Sequence, residues 1–156
     1  RKTGKPRPRR TRLWLFILVA ALLALAHLNR TLVGEAVFAE HLSLSELTEA
    51  TVLELWAPQL TYETPVTQRQ ALASLAQLLG GLELRRSLLT SPGEAFRILP
   101  GETFQLTLVD RSGRVLLLSL YEGRHVIVAA SGRYRITDSL QAQALCTMLQ
   151  GFRQSP

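Results

Sequence analysis

The sequence predicts an α+β fold: an N-terminal transmembrane helix followed by an antiparallel β-sheet packed against two helices, in the order β-α-β-β-β-β-α. Three observations support this prediction. An unbroken apolar run covers residues 13–26, and such runs are typical of membrane segments. Short apolar segments separated by tight turns between residues 104 and 136 predict sequential antiparallel strands. Two further segments carry one apolar stripe at helical spacing, and such helices need a sheet face to cover them.

Residues 1–12 form a basic tail in front of the apolar run. The tail holds seven cations and no acidic residue: Arg1, Lys2, Lys5, Arg7, Arg9, Arg10 and Arg12. Because a positive flank stays on the cytoplasmic side of a membrane, we expect the chain after about residue 28 to lie outside it. The tail also suits contact with anionic lipid headgroups. The expected location is a cell membrane, crossed once, with the N-terminus cytoplasmic and the C-terminal domain extracytoplasmic.

The length of the apolar segment is compatible with either a retained membrane anchor or a cleaved signal peptide. From Leu13 to Leu28 it counts 16 residues, slightly short of the ~20 that span hydrocarbon and slightly longer than a usual signal-peptide core. Ala24 and Ala26 form an A-x-A pattern, after which a signal peptidase would release a secreted binding or inhibitor protein. Trp14 suits the interfacial belt of a retained helix. We expect a retained anchor, with the secreted protein as the alternative.

The positive charge of the chain is concentrated in its tail. The net charge is +6, from 18 basic and 12 acidic residues, and seven of the basic ones precede residue 13. The rest of the chain is therefore nearly neutral. A nucleic-acid-binding domain carries its positive charge on the folded part, so this class is disfavoured.

The first half of the domain is less regular than the second. Residues 29–49 predict a partly helical stalk, and the domain proper is expected over 50–151. Residues 50–56 predict a first strand, ended by Ala57 and Pro58. Pro65 and Thr67 then open a helix that ends at Gly80 and Gly81, and residues 82–88 predict a second strand, followed by a loop over 90–93.

The second half predicts a meander and a last helix. Strands at 104–109 and 115–121 flank the turn 110–113, and tight turns at 122–123 and 131–132 lead into strands at 124–129 and 133–136. Thr137 or Asp138 caps a final helix through Leu149, closed by Gly151.

The stretch FQLTLVDRSGRVLLLSLYEGRHVIVAASGRYRITDSLQAQALCTML, together with the preceding strand, helix and Ser-Pro loop, resembles small membrane-anchored extracytoplasmic domains of unknown function in Gram-positive bacteria. The resemblance covers residues 50–149. It implies the fold and the location, and it implies no catalytic site.

Catalytic and metal-binding residue types are sparse. His27 lies at the membrane boundary, His41 in the expected stalk and His125 at a strand start, and no serine has a nucleophile-elbow context. Cys146 is the only cysteine and falls in an apolar pattern typical of a buried thiol. We therefore expect no enzyme, no cofactor and no metal, with a hydrolase as the less favoured alternative.

Exposed aromatic and arginine residues are the types that dominate protein interfaces. Tyr121, Arg124, Tyr134 and Arg135 are expected at the hairpin end of the sheet, where they form a possible partner-binding patch. The sequence thus predicts a non-catalytic interaction or sensory domain whose partners are the lipid bilayer, through residues 13–28, and an unknown membrane or cell-wall protein.

Overall fold

A computed structural model describes residues 8–87, 96–129 and 131–154, and it divides the chain into two units at Arg30. In the first unit, α1 (Pro8–Leu28) is one continuous helix. Its large apolar side chains between Leu13 and Leu25 are exposed; the two end residues, Leu13 and Leu25, are 59% and 61% exposed. Among the described residues, no helix combines the length and the apolar character that crossing a membrane requires.

The second unit is built on one eight-stranded sheet in which every neighbouring pair is antiparallel. The order across the sheet is β1-β4-β8-β7-β6-β5-β2-β3. The strands are β1 (Thr31–Val33), β2 (Leu47–Ala57), β3 (Leu60–Val66), β4 (Glu83–Arg86), β5 (Phe104–Asp110), β6 (Val115–Tyr121), β7 (His125–Val128) and β8 (Gly132–Ile136).

The helices of this unit are α2 (Gly34–Phe38), α3 (Arg69–Gly80) and α4 (Ser139–Gln154), with a short 3-10 turn at Leu44–Glu46. Helix α3 contacts α2 and α4, and α3 and α4 contact the strands of the sheet. The core forms between these helices and one face of the sheet. It includes Leu75, Phe104, Leu108 and Leu145, each at most 2% exposed.

The α+β class and the antiparallel meander are confirmed. The four strands from residue 104 onward lie where the turn pattern predicts them. Asp138 caps the last helix as predicted, since its Oδ1 accepts a hydrogen bond from the Leu140 backbone N–H at 2.8 Å. The helix nevertheless continues through Gly151 to Gln154, so Gly151 does not end it.

The expected stalk is instead part of the domain. Within residues 29–49, Thr31–Val33 pairs with β4 as an edge strand and Gly34–Phe38 forms a helix. Phe38 is fully buried in the same core as the sheet. These elements are short, so their apolar residues give too few repeats to distinguish a packed segment from a stalk.

The sequence does not predict strand β3, because the pattern places Pro65 at the start of a helix. Pro65 lies within β3, paired with Thr51, and the helix begins four residues later at Arg69. The position is compatible with proline because β3 is an edge strand, where a missing backbone N–H costs no ladder hydrogen bond on the solvent side.

Candidate functional site: the open face of the sheet

The two faces of the sheet differ in how far the helices cover them. In β6, Leu116, Leu118 and Leu120 are at most 3% exposed under the helices, whereas Val115 and Leu117 on the opposite face are 57% and 54% exposed. We call this opposite face the open face. Antiparallel sheets commonly leave one face to solvent, but that face is then usually polar. The exposed Val115 and Leu117 depart from this pattern.

One row of side chains crosses the open face on six consecutive strands, and we call it the central row. Strand pairing sets its members directly opposite one another: Glu63, Leu53, Gln105, Ser119, Ile127 and Arg133. With neighbouring strands about 4.8 Å apart, the row is about 24 Å long. It is acidic at one end and basic at the other, with an apolar residue next to each charge and two polar residues in the middle.

The charges on the rest of the open face follow the same division. Glu49 pairs opposite Val109 on the β2–β3 side and is exposed. On the β8–β4 side, Arg135 pairs opposite Arg85, and both are exposed. Glu83 also points to this side at the sheet edge, and its carboxylate accepts a hydrogen bond from Thr137. The open face is thus negative along one flank and predominantly positive along the other.

The segment that begins at Phe96 covers one end of the open face. The Phe96 ring stacks on Tyr121, with ring centroids 4.8 Å apart and planes 25° apart. It also lies 5.5 Å from the ring of His125 and beneath the Arg133 guanidinium, 5.6 Å from its carbon. The Arg97 backbone N–H donates to Glu122. The exposed apolar part of the face is therefore at the Val115–Leu117 end.

Of the four residues that the sequence places in one patch, Tyr121 and Arg135 both pair opposite His125, Arg124 precedes His125, and Tyr134 lies on the opposite side of the sheet. Arg135 is on the open face, Tyr121 is half-buried beneath Phe96, and Arg124 is exposed in the turn between β6 and β7. Tyr134 is only 2% exposed and belongs to the core. Its hydroxyl donates to the Ser131 carbonyl at 3.3 Å. The binding role of the group stays a prediction, with Tyr134 on the helix-covered side.

A second aromatic and arginine cluster lies at the other edge of the sheet. Arg153, near the end of α4, places its guanidinium carbon 4.0 Å from the Tyr62 ring centroid and 5.2 Å from that of Trp56. The same guanidinium lies 3.5 Å from the carboxylate of Glu54, which is 4% exposed. This cluster fastens the end of α4 to the β2–β3 hairpin, so its geometry indicates a structural role.

The two histidines in the described part of the domain contact different groups. His125 lies 3.8 Å from the Glu122 carboxylate and beside Phe96. The His41 imidazole contacts the Ser131 hydroxyl, so a residue expected in a stalk connects the N-terminal part of the domain to the β7–β8 turn. Both histidine contacts join neighbouring loops and strands.

Cys146 is buried, as its apolar pattern predicts. Burial, and secondarily the nearby Glu102 carboxylate, raise the pKa of the thiol to about 11. Its sulfur lies 3.8 Å from the Gly123 carbonyl oxygen. A thiol with this pKa is a weak nucleophile at neutral pH.

In residues 8–87, 96–129 and 131–154, no three His, Cys, Asp or Glu side chains gather as metal ligands. Comparisons with known protein families, with characterised proteins and with solved structures find no match to this chain. The surface chemistry of the domain therefore carries the functional argument, and its most distinctive feature is the open face.

Proposed function

We propose that this chain is a non-catalytic interaction protein of the cell membrane, whose extracytoplasmic domain binds a protein partner through the open face of its sheet. The observation that carries the proposal is the exposure of Val115 and Leu117 (57% and 54%) on the face that the helices leave uncovered. Beside them lie Leu53, Val109 and Ile127, which are half-buried. Covering these side chains with a partner removes apolar area from water, which favours association.

The largely apolar sequence of β6 supports the same proposal. Its residues read VLLLSLY, without the alternation of apolar and polar residues that a sheet face in water favours. A strand that is apolar on both faces is typical of a strand covered on both. The helices cover one face, and we assign the other to the partner.

The membrane location rests on the N-terminal segment. Seven cations precede the apolar run 13–26, whose large side chains are exposed in α1, including Trp14 (69%) and Phe16 (74%). A bilayer would cover these side chains, and the basic tail would stay on its cytoplasmic side. Local thinning of the bilayer accommodates a short apolar segment. If the chain is instead cleaved after Ala26, the mature protein begins at His27, which mass spectrometry of its N-terminus detects.

Photo-crosslinking of the full-length protein in cells tests the proposed interface. A benzophenone amino acid replaces Leu117 on the open face. In the control it replaces Leu140, which is 72% exposed on α4. We expect ultraviolet light to join the probe at position 117 to a discrete protein and to give no such product from position 140. Equal products from both positions, or none from position 117, would contradict the proposal.

A further inference from the structure

We propose that the partner of the open face is a second copy of this chain, packed face to face about a two-fold axis that runs parallel to the strands between β5 and β6. This inference rests on the proposed function, because it names the occupant of the same surface. It is carried by the sequence of side chains along the central row.

The central row is chemically complementary to a second copy of the same row that runs in the opposite direction. A two-fold axis between Gln105 and Ser119 places Glu63 of one copy opposite Arg133 of the other. It also places Leu53 opposite Ile127, and Gln105 opposite Ser119. Charge thus meets opposite charge, apolar meets apolar, and an amide meets a hydroxyl with which it can exchange a hydrogen bond.

The adjacent rows add apolar contact at the axis. Thr107 pairs with Leu117, and Val109 with Val115, so both pairs straddle the same line between β5 and β6. The two-fold rotation sets each exposed leucine and valine of β6 against β5 of the other copy. The most exposed apolar side chains of the face then lie at the centre of the interface, where interface energy concentrates.

The charges also select the direction of the axis. An axis across the strands would superpose like flanks and bring Arg85, Arg133 and Arg135 of the two copies together. The axis along the strands sets Arg133 of one copy against Glu63 of the other. Two sheets packed in this way are about 10 Å apart, a spacing that a glutamate and an arginine side chain can bridge from opposite sides.

Rotation about an axis parallel to the strands keeps every row at its own height. Thr31, where the domain begins, therefore lies at the same height in both copies. Because a two-fold interface uses the same patch on both copies, the dimer closes and no open face remains.

Cysteine crosslinking of the full-length protein in its membrane tests this arrangement. Ser119→Cys places a thiol next to the axis, whereas Ala144→Cys places one on the exposed surface of α4. The native Cys146 is buried and common to both variants. We expect a short bismaleimide to convert Ser119→Cys to a covalent dimer and to leave Ala144→Cys monomeric.

Charge reversal tests the pairing within the central row. Glu63→Arg alone, or Arg133→Glu alone, sets like charges opposite each other, and we expect the Ser119→Cys crosslink to fall about tenfold. The double variant restores opposite charges, so we expect its crosslink to recover. Mixing the two single variants with different tags is expected to yield the mixed dimer in preference to either homodimer. Circular dichroism melting of each variant shows that the domain is folded.

The two proposals fail in different ways. A crosslink from Ser119→Cys to a different protein, or an equal dimer from Ala144→Cys, would overturn the second-copy partner. The photo-crosslink from position 117 to that other protein would still support the open face as an interface. A double charge variant that crosslinks as poorly as the single variants would overturn the pairing of Glu63 with Arg133.

Discussion

The carboxylate of Asp110 accepts a hydrogen bond from the backbone N–H of Ser43 at 3.0 Å, joining positions 67 residues apart. The same carboxylate accepts bonds from the backbone N–H groups of Ser112 and Arg114, from the Ser112 hydroxyl and from the Arg114 guanidinium. Asp110 thus shapes the β5–β6 turn and ties it to the segment before β2. Its side chain has no solvent exposure.

These bonds make the stability of the domain sensitive to acid through Asp110. Hydrogen bonding to the Ser112 hydroxyl, and next to the Ser43 N–H, lowers the pKa of Asp110 far below its usual range. Because the folded pKa lies below the unfolded value of about 3.9, this stabilisation is complete above that value and is lost as the pH falls below it. We expect Asp110→Asn to unfold more easily at pH 7 and to lose less stability between pH 7 and pH 3. Urea unfolding at both pH values measures this, and an unchanged pH dependence would contradict it.

Gly34 marks the closest approach of α2 to α3. Its backbone N–H donates to the Leu82 carbonyl at 2.8 Å, and a Cβ on Gly34 would overlap the Leu79 carbonyl. We expect Gly34→Ala to lower the free energy of unfolding by about 1–3 kcal/mol, since the backbone must shift. Thermal or urea denaturation measures this cost.

Gly80 provides the matched control. A Cβ on Gly80 would lie 3.6 Å from the Leu44 side chain, an ordinary contact. Because alanine is the better residue within a helix by roughly 0.5–1 kcal/mol, we expect Gly80→Ala to be neutral or slightly stabilising. Equal losses in the two variants would contradict the close approach at Gly34.

The contact between Glu54 and Arg153 predicts that substitutions of these two residues have non-additive effects on the free energy of unfolding. Arg153→Ala removes the cation beside the buried Glu54 carboxylate and the stacking on Tyr62, and we expect a loss of about 1–3 kcal/mol. When Glu54 is already glutamine, the same change is expected to cost less, because no buried carboxylate is left unpaired. A double-mutant cycle by urea unfolding measures the difference. Strict additivity of the two substitutions would show that the ion pair contributes nothing.

The raised pKa of Cys146 predicts slow thiol labelling. At pH 9 a thiol with a pKa of about 11 is mostly protonated, and only the thiolate reacts. We expect iodoacetamide to label the native protein at least tens of times more slowly than the urea-unfolded protein. Ala144→Cys supplies an exposed thiol on the same helix that should react rapidly in the folded state. Rapid labelling of native Cys146 would contradict its burial.

The meander could be predicted from sequence because its strands are joined by local turns. Gly113 and Gly123 adopt positive φ angles of 80° and 67°, which glycine accommodates and which mark the turns between apolar segments. Strands β1 and β3 could not be predicted in this way. Strand β1 pairs with β4, which is distant in sequence, so its partner is set by the tertiary fold. Strand β3 pairs with its sequence neighbour β2 through a short turn, but Pro65 within it favours the start of a helix.

The open face could be predicted only in part from the sequence. The run of β6, which is apolar on both faces apart from Ser119, is a sequence signal that favours cover on both faces of this strand. The sequence carries no comparable signal for the central row. The row depends on the register of six strands, and Glu63 and Arg133 lie far apart in the chain. Tyr134 shows the converse, since strand parity places it in the core beside two open-face arginines.

The most direct test of the account is the solvent accessibility of the open face in intact cells. Leu117→Cys and Leu140→Cys are labelled with a membrane-impermeant maleimide, before and after the membranes are dispersed in detergent and diluted. If a partner covers the open face, position 117 labels slowly in the membrane and rapidly after dispersal, whereas position 140 labels rapidly in both states. Labelling of position 117 in the intact membrane as fast as position 140 would contradict the central claim.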